Sequence, residues 1–175
     1  QSLVDLWKTP TWFNQIPLAD SVPIVWARLT RQAASEAVIR QRLASAPDTC
    51  WIAESDSMPI GYLFSYGSTV GRVTPLGGSF TVAASPDCLY LHDIAIIPAV
   101  RGSGAATALL EAARSWAAAR RIADVALVSV GDTRTYWSRR GFVAASAVTP
   151  AQSRALSSYG VDACYMTQRW KAVQA

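Results

Sequence analysis

Hydrophobic positions change period along the chain, and each change marks an element. The stretch "ASEAVIRQRLASAP" has the spacing of a helix, with Ser35 as its cap and Pro47 beyond its end. "CWIAES" and "IGYLFSYG" carry the β-branched and aromatic content of strands, separated by the turn-like "DSMP". A connector rich in Gly, Ser and Thr, Gly67 to Pro86, reads as a mobile surface loop. "CLYLHDIAII" is a strong strand that Pro98 stops, because proline cannot donate to a ladder. Its period of two puts Leu91, Asp93 and Ala95 on one face and His92, Ile94 and Ile96 on the other.

From Ala105 to Arg121 the period becomes helical, with Ala106, Leu109, Leu110, Ala113, Trp116 and Ala117 sharing a face. "VALVSV" is a buried strand, "TRTYWSRRG" a short helix closed by Gly141, and "ACYMTQRW" a last strand. "VPIVWARLT" fits helix or strand, and residues 1–20 carry Trp7, Trp12 and Phe13 without a clear period. Strands and helices in this alternation predict one α+β domain, a mixed α/β layer, over residues 1–175.

Composition narrows the class. Hydrophobic residues at 51% against 16% charged ones describe a globular chain with a full core. No apolar run approaches the roughly 20 residues of a membrane span, and no secretory signal opens the chain. The first residue is Gln1, so the chain is expected to be trimmed or part of a longer one. Cys50, Cys88 and Cys164 are odd in number and lack zinc-ligand spacing, which predicts free thiols, no metal and a reducing, cytoplasmic setting. A net charge of +4 favours anions. The arginines are dispersed rather than striped, which argues against nucleic acid and for a phosphorylated small molecule.

The chemistry concentrates after the central strand, in "RGSGAATALL". A helix beginning near Gly104 presents free N–H groups and a partial positive charge. Glycines let an anion approach that backbone, and Arg101 adds a charged fork suited to phosphate oxygens. The turn therefore reads as a diphosphate cradle. It lacks the Lys-Ser/Thr of a P-loop, and Thr107 stands where a dinucleotide fingerprint has its third glycine.

These residues resemble the GNAT superfamily of acyl-CoA-dependent N-acyltransferases. Arg101, Gly104 and Ala106 meet its Arg/Gln-x-x-Gly-x-Gly/Ala motif, with Gly102 matching the common "RGxG" form. "YWSRRGF", Tyr136 to Phe142, meets a second element of aromatic-aromatic-x-x-x-Gly-Phe. The resemblance covers roughly residues 36–170, while residues 1–35 match less clearly. It implies a central mixed, mostly antiparallel sheet flanked by helices, with two splayed central strands. It implies acetyl-CoA as co-substrate, its pantetheine arm bonded to the backbone of Ile94, Ala95 and Ile96. The amides of Gly102, Ser103, Gly104, Ala105 and Ala106, with Arg101, would hold the pyrophosphate, and Trp137 would wall the thioester.

Acyl transfer needs a neutral amine and a stabilised oxyanion. The family often places a thiolate-protonating tyrosine where this chain has Trp137, whose indole is no acid; Tyr136 stands one place earlier, about 100° around a helix. The other catalytic candidates are His92, the only histidine, and Asp93, a carboxylate in an apolar strand. The resemblance thus implies an N-acetyltransferase acting by direct attack of a primary amine, small-molecule or protein-borne. Direct transfer is preferred because no cysteine adjoins the second element. A non-catalytic acyl-CoA-binding module is the alternative. Trp7, Trp12, Phe13 and Trp26 would serve the core, a homodimer contact or an apolar acceptor.

Overall fold

The computed structural model describes residues 36–55, 58–146 and 148–170. The N-terminal aromatics, the Ser35 cap and "VPIVWARLT" lie outside them. The described elements are, in order, α1 (Glu36–Ser45), β1 (Cys50–Ser55), β2 (Met58–Ser68), β3 (Cys88–Ile96), α2 (Ala105–Ala119), β4 (Asp124–Ser129), α3 (Arg134–Arg139), β5 (Val143–Ala144), α4 (Pro150–Ser157) and β6 (Cys164–Arg169). The six strands form one sheet in the order β1-β2-β3-β4-β6-β5. Every neighbouring pair is antiparallel except β3 and β4, which run parallel around the crossover helix α2. This is the mixed, mostly antiparallel sheet flanked by helices that the sequence predicts.

Alternation along the strands divides the core in two. Leu63, Leu89, Leu91, Val125 and Leu127 face α2 and meet Leu109, Ala113 and Ala117. Tyr62, Phe64, Tyr66, Tyr90 and Tyr165 point the other way, to Ile39 and Leu43 of α1 and to Phe80. The buried stripe of α2 is Ala105, Leu109, Ala113 and Ala117. Ala106, Leu110 and Trp116, expected on the same face, are only partly buried. The four-residue spacing of small side chains lets the helix axis settle close to the sheet, so its middle is centred on alanines.

Two further expectations change. The connector after β2 is anchored rather than a loose surface loop: Phe80 and Thr74 are both buried. The Tyr66 and Thr74 hydroxyls share a hydrogen bond. The Arg42 guanidinium, itself buried, donates to the Gly78 carbonyl at 3.1 Å and sits 5.3 Å from the Phe80 ring centroid. Helix α4 was not anticipated, although its start carries a legible signal. Thr149 and Gln152 form a reciprocal capping box, with Pro150 in the first turn.

Candidate functional site

The feature that organises the site is a place where the sheet fails to close. Strand β3 pairs with β4 only from Cys88↔Asp124 to Leu91↔Leu127. Beyond Leu91, β3 continues to Ile96 beside β2 alone. The Ile97 N–H donates to the Ile60 carbonyl on the β2 side at 2.9 Å. Backbone groups alternate sides along a strand, so those of Ile94 and Ile96 face the gap and those of Ala95 face β2. Residues 92–97 are all partly exposed, unlike the sealed stretch Cys88–Leu91. The gap is thus a cleft with one polar edge, able to take an extended ligand as an added strand.

The cleft opens at its far end onto the turn before α2. Pro98–Val100 forms a single 3₁₀ turn, and Arg101 follows, exposed and extended. Gly102 and Gly104 have φ of +83° and +93°, a region that side chains avoid, and a Cβ on either would meet open space. Gly104 is the N-cap of α2 and offers no side-chain cap. Among the described residues, no protein acceptor takes the N–H of Gly102, Gly104, Ala105, Ala106 or Thr107. The Ser103 hydroxyl is shielded from solvent and has no partner. A run of free donors at the positive end of a 15-residue helix, beside an arginine, suits two linked phosphoryl groups. The turn and the cleft edge are continuous, so the residues present fit a ligand with a diphosphate and an amide-bearing arm.

At the closed end of the cleft the strand register slips. Phe64 pairs with Asp93 and Ser65 with Leu91, leaving His92 as an extra residue. The bulge overturns the simple alternation. Asp93 and Ala95 fall opposite Phe64 and Tyr62, on the α1 side, while Ile94 and Ile96 pack with the α2-side core. His92 also turns to the α1 side, its ring 5.1 Å from that of Phe80, 6.1 Å from Tyr90 and 6.5 Å from Tyr159. His92 and Asp93 therefore share one face instead of dividing between two.

Their electrostatics differ. The Tyr62 hydroxyl donates to Asp93 Oδ2 at 2.9 Å. Burial pushes the Asp93 carboxyl up to about 6, against the opposing pull of Tyr62 and of the Arg42 charge. Burial pushes the His92 imidazole down to about 3, with Arg42 acting in the same sense. His92 Nδ1 is out of reach of solvent and has no hydrogen-bond partner. At neutral pH the pair is a neutral imidazole beside a carboxylate that titrates within reach of physiological pH.

The second predicted element divides as the helical geometry requires. Trp137 is buried in the α2-side core, edge-on to Phe142 at 5.3 Å. Tyr136 is exposed, with the Arg140 guanidinium 3.8 Å over its ring. The structure thus brings His92 and Asp93 together at one end of the cleft and Arg101–Ala106 at the other, with Tyr136 on an outer face. What the sequence reading missed is the set behind Asp93: Tyr62 on β2 and Arg42 on α1. Their signal is one of position, since a tyrosine two places from the strand partner of Asp93 is a diagonal neighbour.

The thiols stand apart. Cys50 and Cys88 are free and buried, and burial pushes both up to about 12. Cys88 begins β3, eight residues and about 26 Å along the strand from Ile96. A cavity of about 380 Å³ is lined by Ser45, Thr49, Gly67, Pro86, Trp116 and Arg120, and none of the predicted site residues borders it. No group of His, Cys, Asp and Glu among the described residues is arranged to hold a metal ion.

The sequence profile of the Acetyltransferase (GNAT) family matches residues 15–142. Among curated proteins, none matches the chain. Among solved structures, the chain is similar to the GphF GNAT-like decarboxylase in complex with isobutyryl-CoA. The TM-score there is 0.66 at 18% identity, over 89% of this chain and 96% of that one. It is similar to the loading GNATL domain of CurA from Lyngbya majuscula, with TM-score 0.65 at 13% identity, over 90% and 95%. It is also similar to the ribosomal-protein-S18-alanine N-acetyltransferase from Escherichia coli, with TM-score 0.61 at 14% identity, over 91% and 92%.

Proposed function

Because the chain belongs to the GNAT acetyltransferase family, whose profile spans residues 15–142, we propose that it moves an acetyl group from acetyl-CoA to a primary amine by direct attack. The observation that carries this reading is the continuity of the free-amide turn with the unpaired edge of β3. Arg101 and the amides of Gly102, Gly104, Ala105 and Ala106 hold the pyrophosphate, with the Ser103 hydroxyl as a further donor. The pantetheine arm then runs back along Ile96 and Ile94, and its thioester arrives where β3 and β4 close, at His92 and Asp93.

The amine enters from the α1 side, where Asp93 accepts its proton as the nitrogen attacks the thioester carbon. The carbon–sulfur bond breaks, and the departing thiolate takes up the proton that Asp93 accepted from the amine. With its midpoint near 6, Asp93 is ionised at neutral pH and weak enough as a base to return the proton. His92, neutral down to about 3, carries no charge and orients water or the amine through one N–H donor and one ring-nitrogen acceptor. Both a small amine and a protein-borne one suit an open cleft. The free thiols fit a reducing compartment such as the cytoplasm.

A second reading is favoured by one feature. Trp137 stands where many amine acetylators carry a thiolate-protonating phenol; loss of CO₂ from a carboxyacyl-CoA leaves the thioester intact, the electron pair left on the α-carbon takes a proton from water, and no thiolate has to be protonated. The similarity to a GNAT-like decarboxylase supports it at the level of fold. One assay separates the two. Acetyl-CoA with a panel of primary amines should release free thiol. CO₂ evolution from a carboxyacyl-CoA, without thiol release, would establish the second reading instead. No calorimetric binding of either thioester would remove both.

A further inference from the structure

The proton acceptor of the proposed reaction has a partner that no motif points to. Asp93 and Tyr62 are diagonal neighbours across β2 and β3, since Tyr62 pairs with Ala95 and Asp93 with Phe64. Tyr62 is fully buried, and its phenol spends its hydrogen on Asp93 Oδ2 at 2.9 Å. Among the described residues Tyr62 alone donates to this carboxylate, and to Oδ2 only, so one oxygen is held and Oδ1 takes no donor from them. We infer that Tyr62 is a positioning residue: its hydroxyl keeps the Asp93 carboxyl ionised and aimed, and so sets the acid limit of the activity. This rests on the reading of Asp93 as proton acceptor.

The other groups facing Asp93 leave the role to Tyr62. Arg42 of α1 acts on Asp93 through its charge, while its guanidinium donates to the Gly78 carbonyl. His92, on the same strand, stays neutral over the working range. The phenols of Tyr90 and Tyr159, around the His92 ring, are pushed up by burial and stay protonated there as well. Tyr62 therefore supplies the one direct hydrogen bond to the carboxylate among the described residues. A donor to the charged form favours that form, so its loss raises the proton affinity of Asp93.

The test is Tyr62→Phe, which deletes one oxygen and keeps the ring that stacks on Phe64 at 4.7 Å. Carbon-13 NMR of the Asp93 carboxyl, in the enzyme alone, should show its midpoint moving up by about one pH unit. The acid limb of kcat/KM should move with it, while activity at pH 9 falls by less than roughly threefold. Tyr66→Phe, which removes a hydroxyl bonded to Thr74 on the same strand face, should move neither. If Tyr62→Phe does not fold, 3-fluorotyrosine labelling, which strengthens the donor, should lower the Asp93 midpoint. An unmoved Asp93 resonance overturns the inference and leaves the acyltransferase reading standing. A moved resonance with an unmoved kinetic limb overturns it too, and takes with it the role of Asp93 as base.

Discussion

A carboxylate inside an apolar strand is held there at a cost, and Asp93 shows what that cost is for. Its folded-state affinity for protons is raised from 3.8 to about 6. The sign follows directly: such a group contributes most to stability below 3.8, and that contribution is lost as pH rises through 6. Asp93→Asn should therefore raise the melting temperature at pH 8 more than at pH 4. The gain should be about 1–2 kcal/mol once partial solvent access is allowed for. The same variant should lower kcat/KM at least roughly tenfold at pH 8, because an amide accepts no proton from the amine. A variant that is more stable and unimpaired would make Asp93 a structural residue. Stability surrendered at one residue for chemistry is the expected pattern at a working site.

At the scale of elements, the turn into α2 joins local conformation to binding. Gly104→Ala forces a side chain into φ of +93° without any steric clash, since a Cβ there meets open space. Strain of about 1–2 kcal/mol should appear in unfolding. Calorimetry should show the Kd for coenzyme A rising at least roughly tenfold, because the methyl group stands in the anion's approach. That same loss of stability with unchanged affinity would separate the turn from the ligand. Helix α4 offers a control remote from chemistry: Thr149→Ala removes the acceptor for the Gln152 N–H and should cost about 1 kcal/mol in denaturant unfolding. Its activity per folded molecule should not change.

For the whole molecule, the excess of four positive charges and the binding turn act together. Acetyl-CoA should raise the melting temperature, by an amount equivalent to about 2.7 kcal/mol at a hundred times its Kd. NAD and ATP, which lack the pantetheine arm, should stabilise less. Affinity should fall as salt is raised from 50 mM to 500 mM, since the charges of the diphosphate are screened (Debye length about 10 Å at 0.1 M). A thermal shift equal for all three ligands would reduce the site to a generic anion trap.

The chain's own order of residues determined much of this. The strand ending at Pro98, the glycines at 102 and 104 and the helix after them are local features, and local features are written in spacing, backbone freedom and capping. The short helix ending at Gly141 follows in the same way. The α4 capping box was equally local and could have been read from "TPAQ".

What only tertiary structure decided is how the strands meet. The extra residue at His92 comes from the register between β2 and β3, a property of two strands at once. That slip moved Asp93 to the face of His92, and set Tyr62 from β2 and Arg42 from α1 behind it. A period of two read along one strand carries no record of its partner's register, so the acid could be named from the sequence but its setting could not.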